Sequence, residues 1–264
     1  FAELSRKALE KHFTRKEEDF RLRMSNVGKP LCQLQMQAKG VEPEKPSHDF
    51  IVRMIIGDML EALVIVLLKA AKIEVKSQHQ KVSLGVGDRQ IEGEYDIELD
   101  DGIYDIKSVS PFSFTTKFNA DNGYDKIKQS DSFGYISQGH GYGMAANKPF
   151  KGWIAINKTT GEIVFTDSKH TDEEKKEVYS KIYNTSVALL DEKPFERCFT
   201  DVEEVYYSKP TGNRTLGIEC SYCPYKHDCW DNLEFRRQLP SKGKNPKWTW
   251  YTKIDPKWME ENVQ

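Results

Sequence analysis

The chain has no apolar run long enough to cross a bilayer. Its longest, Met59 to Leu68, is interrupted by Glu61 and is about half of the roughly 20 residues that a spanning helix needs. It also sits inside a helical pattern, so no membrane role is expected. Cysteine is scarce and odd in number, five among 264 residues. With no secretory signal visible, that count disfavours a disulfide framework and points to metal-ligating thiols in a reducing compartment, the cytoplasm. No strong charge of either sign is present: the net charge is -2 although 30% of the residues are charged. A nucleic-acid partner therefore cannot be read from overall charge, only from where the cations sit. No internal repeat or low-complexity segment is evident. The length suits one large domain, or a domain with an appended lobe.

The cysteines that are present are arranged. Cys220, Cys223 and Cys229 follow C-x2-C-x5-C spacing, which can wrap one soft metal centre but leaves a fourth tetrahedral ligand to come from elsewhere. Cys32 is the natural fourth ligand, and a centre built with it would tie the two ends of the chain together. Cys198 is a rival nearer in sequence, and His227 a lesser one. Past the triad, Arg236, Arg237, Lys242, Lys244, Lys247, Lys253 and Lys257 face only Asp255, with Trp248, Trp250 and Tyr251 interleaved. Cations with flat rings suit single-stranded nucleic acid, and a solvated tail whose rings pack on the body is the competing reading.

Between the cysteines the pattern alternates strands and helices. Residues 3–24 read as a charged amphipathic helix, and a strongly apolar, central helix is expected from His48 to about Ala71. Strands are expected near 73–84, 90–99 and 102–109, a helical region near 121–147, and strands near 152–157 and 162–166. A polar helix near 171–191 and a strand near 202–207 follow.

The segment 90–109 carries the sharpest inference. Its two alternating runs meet at Asp101-Gly102, a strong two-residue hairpin signal. That turn pairs Glu98 with Asp105 and Asp96 with Lys107. It sets Tyr95, Ile97, Leu99, Tyr104 and Ile106 on one face, and Glu94, Asp96, Glu98, Asp105 and Lys107 on the other. Carboxylates so close repel one another unless a cation sits among them. The preceding helix offers Asp58 and Glu61 to the same region; Asp58 is expected to reach solvent, whereas Glu61 adds to the cluster. A divalent-ion site is therefore favoured over a merely charged surface.

The order Gly57-x-x-x-Glu61, Gly93-Glu-Tyr-Asp96, Asp105-Ile-Lys107 and Gln138-Gly-His-Gly-Tyr142, framed by one cysteine upstream and three downstream, resembles the iron-sulfur members of the RecB-like PD-(D/E)xK nucleases. These include CRISPR-associated RecB-like exonucleases, AddB-type nuclease domains and phage relatives. The resemblance implies an α/β fold, a mixed central sheet flanked by helices in a restriction-endonuclease-like core, with a C-terminal cysteine-cluster lobe. It divides the chain into an N-terminal segment 1–47, a nuclease core 48–208, and a lobe and tail 209–264. It implies Mg2+ or Mn2+ at Glu61, Asp96, Asp105 and the Ile106 carbonyl, with Glu61 standing where many relatives have His. Lys107 would orient or activate water and hold phosphate charge, and Gln138 and Tyr142 would contact substrate or brace the site. Glycines at 134, 139, 141 and 143 weaken a segment that is helical in the family. Cys32, Cys220, Cys223 and Cys229 would hold a four-iron, four-sulfur cluster, with zinc as the alternative.

The implied activity is metal-dependent hydrolysis of DNA at single-stranded ends, 5'-to-3' favoured, in a bacterial, archaeal or phage-infected cell. Arg236, Arg237, Lys247, Trp248 and Trp250 would grip the DNA. A non-catalytic iron-sulfur or zinc nucleic-acid-binding module and a restriction-type endonuclease are the alternatives.

Overall fold

The computed structural model describes residues 20–191 and 193–260, the side chains of 259 and 260 excepted. The chain forms two compact units, Phe1–Pro30 with Pro46–Lys193, and Leu31–Lys45 with Pro194–Gln264. The division differs from the sequence-based one: residues 31–45 fold with the C-terminal part, and that part begins at 194 rather than 209. Most of the expected N-terminal helix lies outside the described residues. Its last residues, 20–24, are not helical; Met24 is fully buried, and its N–H donates to the Glu92 carbonyl at 2.8 Å.

Helix α1 (Leu31–Ala38) belongs to the second unit. The first unit opens with α2 (His48–Ala70), started by Ser47, whose side chain accepts a hydrogen bond from the Phe50 N–H. Strands β1 (Ser77–Val86), β2 (Arg89–Leu99) and β3 (Gly102–Val109) then form an antiparallel meander. A short turn α3 (Pro111–Ser113), a π-helical turn at Phe114–Phe118, α4 (Gly123–Gln129) and α5 (Tyr135–Ala146) lead to β4 (Phe150–Asn157). These helices provide the crossover that lets β4 pair parallel to β3. With β5 (Ile163–Asp167) the sheet has five strands in the order β1-β2-β3-β4-β5, and α6 (Asp172–Leu190) follows.

Two apolar clusters form around the sheet. Val64, Ile65 and Leu68 of α2 pack with Ile97, Leu99, Tyr104, Ile106, Ile154 and Ile156. Ile136 and Tyr142 of α5 pack with Ile91, Tyr95, Ile103, Phe150 and Trp153. Helix α2 is not the fully buried rod its composition suggested. It buries one stripe and leaves Phe50, Met54, Met59, Leu63 and Val66 exposed, because only one side of it meets the sheet.

The β2–β3 register also differs from expectation. Leu99 pairs with Gly102 and Glu98 with Ile103, so the turn residues are Asp100 and Asp101. Gly102 lies in the strand at φ +148°, where a Cβ would collide with the Pro149 carbonyl oxygen that accepts from the Ile103 N–H. A close backbone approach, not the turn, requires this glycine. The slip amounts to two positions on the partner strand. Side chains alternate with period two, so most of the expected faces survive it. Tyr95 is the exception, siding with Ile91 and Ile103 instead of Ile97 and Leu99. The β1–β2 pairs run regularly except opposite Asp96, where His79 takes a left-handed φ of 51° and kinks the ladder.

The expected helical region near 121–147 is two helices, α4 and α5, split between Gln129 and Tyr135. The glycines of α5 lower its propensity, yet they let it sit buried or half-buried along its whole length. A methyl group at Gly139 would drive into the Phe150 ring. Gly139→Ala is therefore expected to destabilise the protein by about 1–3 kcal/mol and lower the melting temperature by roughly 2–4 °C per kcal/mol. An unchanged thermal melt would show that α5 does not dock this closely.

Beside α5 lies a buried polar network. His140 Nε2 is 3.2 Å from both the Tyr124 hydroxyl and Ser168 Oγ, and Tyr124 donates to Glu174 at 2.5 Å. Burial pushes the His140 imidazole down to about 4, against the opposing charge of Glu174. The unfolded chain, with a histidine near 6.5, binds a proton between those values that the folded chain refuses. Stability should thus fall as pH drops from about 6.5 towards 4, by roughly 3 kcal/mol from this residue. The measurement is unfolding free energy against pH for wild type and His140→Gln. Equal slopes in that window would remove His140 as the cause.

The second unit holds a four-stranded sheet in the order β6-β7-β9-β8, made of β6 (Val202–Tyr206), β7 (Lys209–Thr215), β8 (Glu234–Arg237) and β9 (Trp248–Lys253). Short helices α7 (Ile218–Ser221) and α8 (Lys226–Cys229) carry two of the cysteines, and α9 (Pro256–Glu260) closes the described chain. Tyr251 anchors its core, with the hydroxyl donating to Glu204 at 2.8 Å and accepting from the Leu239 N–H at 3.0 Å.

Candidate functional site

The hairpin and α2 bring together four of the expected residues. By the observed register Asp96 falls opposite Asp105, and the Ile106 N–H donates to Asp96 Oδ2 at 2.6 Å, in place of a ladder bond. Burial first, then the charge of Asp105, pushes the Asp96 carboxyl well above its ordinary range, against the pull of Lys107. Glu61 of α2 reaches the same group: burial pushes its carboxyl up, Asp105 adds to the rise, and His79 and Lys107 oppose it.

Asp105 is 1% exposed. Lys107 Nζ holds Asp105 Oδ2 at 2.7 Å, and Asp105 Oδ1 has no hydrogen-bond donor. A buried carboxylate oxygen left without donors is costly. Among the described residues, no three His, Cys, Asp or Glu side chains already surround one point as metal ligands.

Two of the expected cluster members have partners other than Asp96 and Asp105. Glu98 is held by Lys148 at 2.5 Å, Ser77 and Tyr95, and these partners, Lys148 foremost, outweigh burial and keep its carboxyl below the usual range. Glu94 turns to His79, its Oε1 3.6 Å from Nδ1. Asp58 is exposed, as expected.

Helix α5 supplies the braces. Lys107 Nζ donates to Gln138 Oε1 at 3.2 Å, and Gln138 Nε2 donates to the Tyr142 hydroxyl at 3.2 Å. Burial alone would push the Lys107 ammonium down, but Asp105 and Asp96 outweigh it and hold it above its usual range. Burial, with Asp105 adding, pushes the Tyr142 hydroxyl up to about 12. Sequence reasoning missed two neighbours. Tyr135 lies under the Lys107 ammonium, 5.0 Å from it to the ring centroid. His79 stands beside Glu61, its Nδ1 3.7 Å from Oε1. Tyr135 sits three residues before Gln138, one helical turn away, which was a legible signal. His79 gave none, because its position depends on the kink.

In the second unit all five cysteines are free thiols. Residues 31–45 place Cys32 in the same unit as the triad, and Lys226 pairs with Glu44. The Cys32 N–H donates to Cys198 Sγ at 3.0 Å. A thiol–thiol hydrogen bond between them is the first cause of a shift in each: it pushes Cys32 up and brings Cys198 down to about 6. The charges of both Cys198 and Cys229 reach Cys32, and those of Cys229 and Cys223 reach Cys220. His227 instead packs edge-on against Trp250, ring centroids 5.1 Å apart.

The basic aromatic stretch is not a tail. Arg237 pairs with Trp248 and Arg236 with Thr249 across β8 and β9, and Phe235 lies 4.7 Å from Trp250 and 5.2 Å from Trp248 between ring centroids. Tyr251 turns into the core, whereas Phe235 and Trp248 are half exposed and Lys247 is exposed. Arg236 pairs with Glu234, and the Arg237 guanidinium lies 5.9 Å from the Trp248 ring.

The chain matches no protein-family model and no curated protein. Among solved structures it is similar to one described as "Crystal structure of SSO0001", with a TM-score of 0.46 and 15% identity over 85% of this chain and 93% of that one.

Proposed function

We propose that the chain is a Mg2+- or Mn2+-dependent deoxyribonuclease of the RecB-like PD-(D/E)xK type, acting on single-stranded DNA ends with 5'-to-3' polarity. The observation that carries the reading is Asp105, buried beside Asp96 with Oδ2 held by Lys107 and Oδ1 left without a donor. That donor set fits a hard divalent ion, with Asp105, Asp96, Glu61 and the Ile106 carbonyl as its holders. When bound, such an ion supplies Lewis acidity at the phosphate and a more acidic water. Lys107, fixed through Gln138 and Tyr142, places an ammonium where negative charge develops on the phosphate. The thiols at Cys32, Cys220, Cys223 and Cys229 suit a four-iron, four-sulfur cluster by donor chemistry, and Cys198 competes with Cys32 for the fourth position.

The deciding experiment incubates the protein with end-labelled linear and with circular single-stranded DNA, with and without Mn2+. Metal-dependent loss of the linear strand alone supports the exonuclease; equal cutting of circles makes it an endonuclease, and binding without cleavage makes it a binding module. The DNA-gripping surface has its own test. Removing residue 236 onward would delete the inner strand β9, so point variants are required. Arg237→Ala with Trp248→Ala should weaken single-strand binding by about 1–3 kcal/mol and reduce the salt slope by about one. Unchanged affinity and slope would leave these residues as packing only.

A further inference from the structure

We propose that His79 is a ligand of the divalent-cation site and sets its preference for Mn2+ over Mg2+. The inference rests on the nuclease reading of that site. His79 belongs to β1, a strand whose pairs with β2 are regular on both sides of it: Gln78 with Ile97 and Gln80 with Tyr95. At His79 alone the backbone turns to a left-handed φ of 51°. A non-glycine residue in that conformation costs on the order of 1 kcal/mol or more, and mid-strand it forfeits pairing as well.

The turn places the ring beside the site. Nδ1 lies 3.7 Å from Glu61 Oε1 and 3.6 Å from Glu94 Oε1. Glu61, which the imidazole faces, also feels the charges of Asp105 and Lys107, so it links the ring to the acid group. With its side chain 51% exposed, a surface ion pair alone gives little return for that strain. The residue opposite the kink is Asp96, so the same irregularity opens the ladder at one metal-holding position and turns a nitrogen donor towards another.

Ligand chemistry gives the consequence. Glu61, Asp96 and Asp105 alone form an all-oxygen set, which suits Mg2+. An imidazole added to them favours a transition ion, since nitrogen donors raise affinity for Mn2+ and do little for Mg2+. His79→Asn is the right variant, because asparagine tolerates left-handed backbone and leaves the kink in place.

The experiment measures Mn2+ and Mg2+ dissociation constants by calorimetry, with pulsed electron paramagnetic resonance of the bound Mn2+ to detect coupling to a ring nitrogen. Wild type should show nitrogen coupling. His79→Asn should lose it, and its preference for Mn2+ should fall about tenfold, roughly 1.4 kcal/mol. A wild-type spectrum without ring-nitrogen coupling, or an unchanged preference in His79→Asn, overturns the proposal. Asp105→Asn separates the two levels. If it abolishes Mn2+ binding while wild type lacks nitrogen coupling, only the role of His79 falls. If wild type binds no Mn2+, or Asp105→Asn binds it equally well, the site reading falls too.

Discussion

Asp105→Asn is expected to leave the metal-free protein about as stable as wild type while lowering metal-dependent cleavage at least a thousandfold. The first half follows from burial. Asp105 is enclosed, its Oδ1 has no donor, and its charge helps push Asp96 and Glu61 upward. Asparagine keeps the shape and removes that repulsion, which offsets the loss of the ion pair with Lys107. The second half follows from the chemistry, since a carboxylate that holds the ion cannot be replaced by a neutral amide without losing the charge stabilisation the reaction needs. Thermal melts link the two. Mn2+ at a hundredfold excess over its dissociation constant should stabilise wild type by about 2.7 kcal/mol, or roughly 5–10 °C, and should do much less for Asp105→Asn. A variant that cleaves like wild type, or gains the same Mn2+ stabilisation, would falsify the assignment of Asp105.

The second large effect concerns the thiols. Protein purified without oxygen should be brown, with broad visible absorption and near-equal iron and sulfide. Cys223→Ser and Cys32→Ser should bleach it. A centre joining Cys32 to the triad closes a loop spanning most of the chain, and cross-links over such loops remove roughly 5 kcal/mol of unfolded-state entropy. Bleached variants should therefore melt at least 10 °C lower, on a scale of about 2–4 °C per kcal/mol. The structure adds a sharper control. The Cys32 thiol, more than its N–H, donates to Cys198 Sγ and holds Cys198 towards the thiolate that metal ligation uses. A brown Cys32→Ser beside a bleached Cys198→Ser would make Cys198 the ligand and Cys32 its donor. Colourless wild type carrying one zinc would replace the cluster with a zinc centre.

The alternating residues of the hairpin by themselves determined that Asp96, Asp105 and Lys107 would gather, and they did so despite a wrong turn. Strand periodicity is two and the register error was two, so Asp96, Asp105 and Lys107 kept to one face although their cross-strand partners changed. Period and composition likewise located β1 to β6, α2 and α6 to within a few residues, because each is long enough for its pattern to outweigh local exceptions. The cysteine spacing showed that three thiols share one lobe. What only tertiary structure decided were features with no local cause: the kink that turns His79 to Glu61, the packing of Tyr95 in the other cluster, the diversion of Glu98 to Lys148, and the meeting of Cys32 with Cys198. The glycines of α5 read as weakness in sequence, where only propensity counts. In the fold they are the condition for close packing against Phe150. Propensity and alternation act over a few residues and are written in the chain, whereas a carboxylate's partner is whatever the fold carries to within 4 Å of it, which no local pattern encodes.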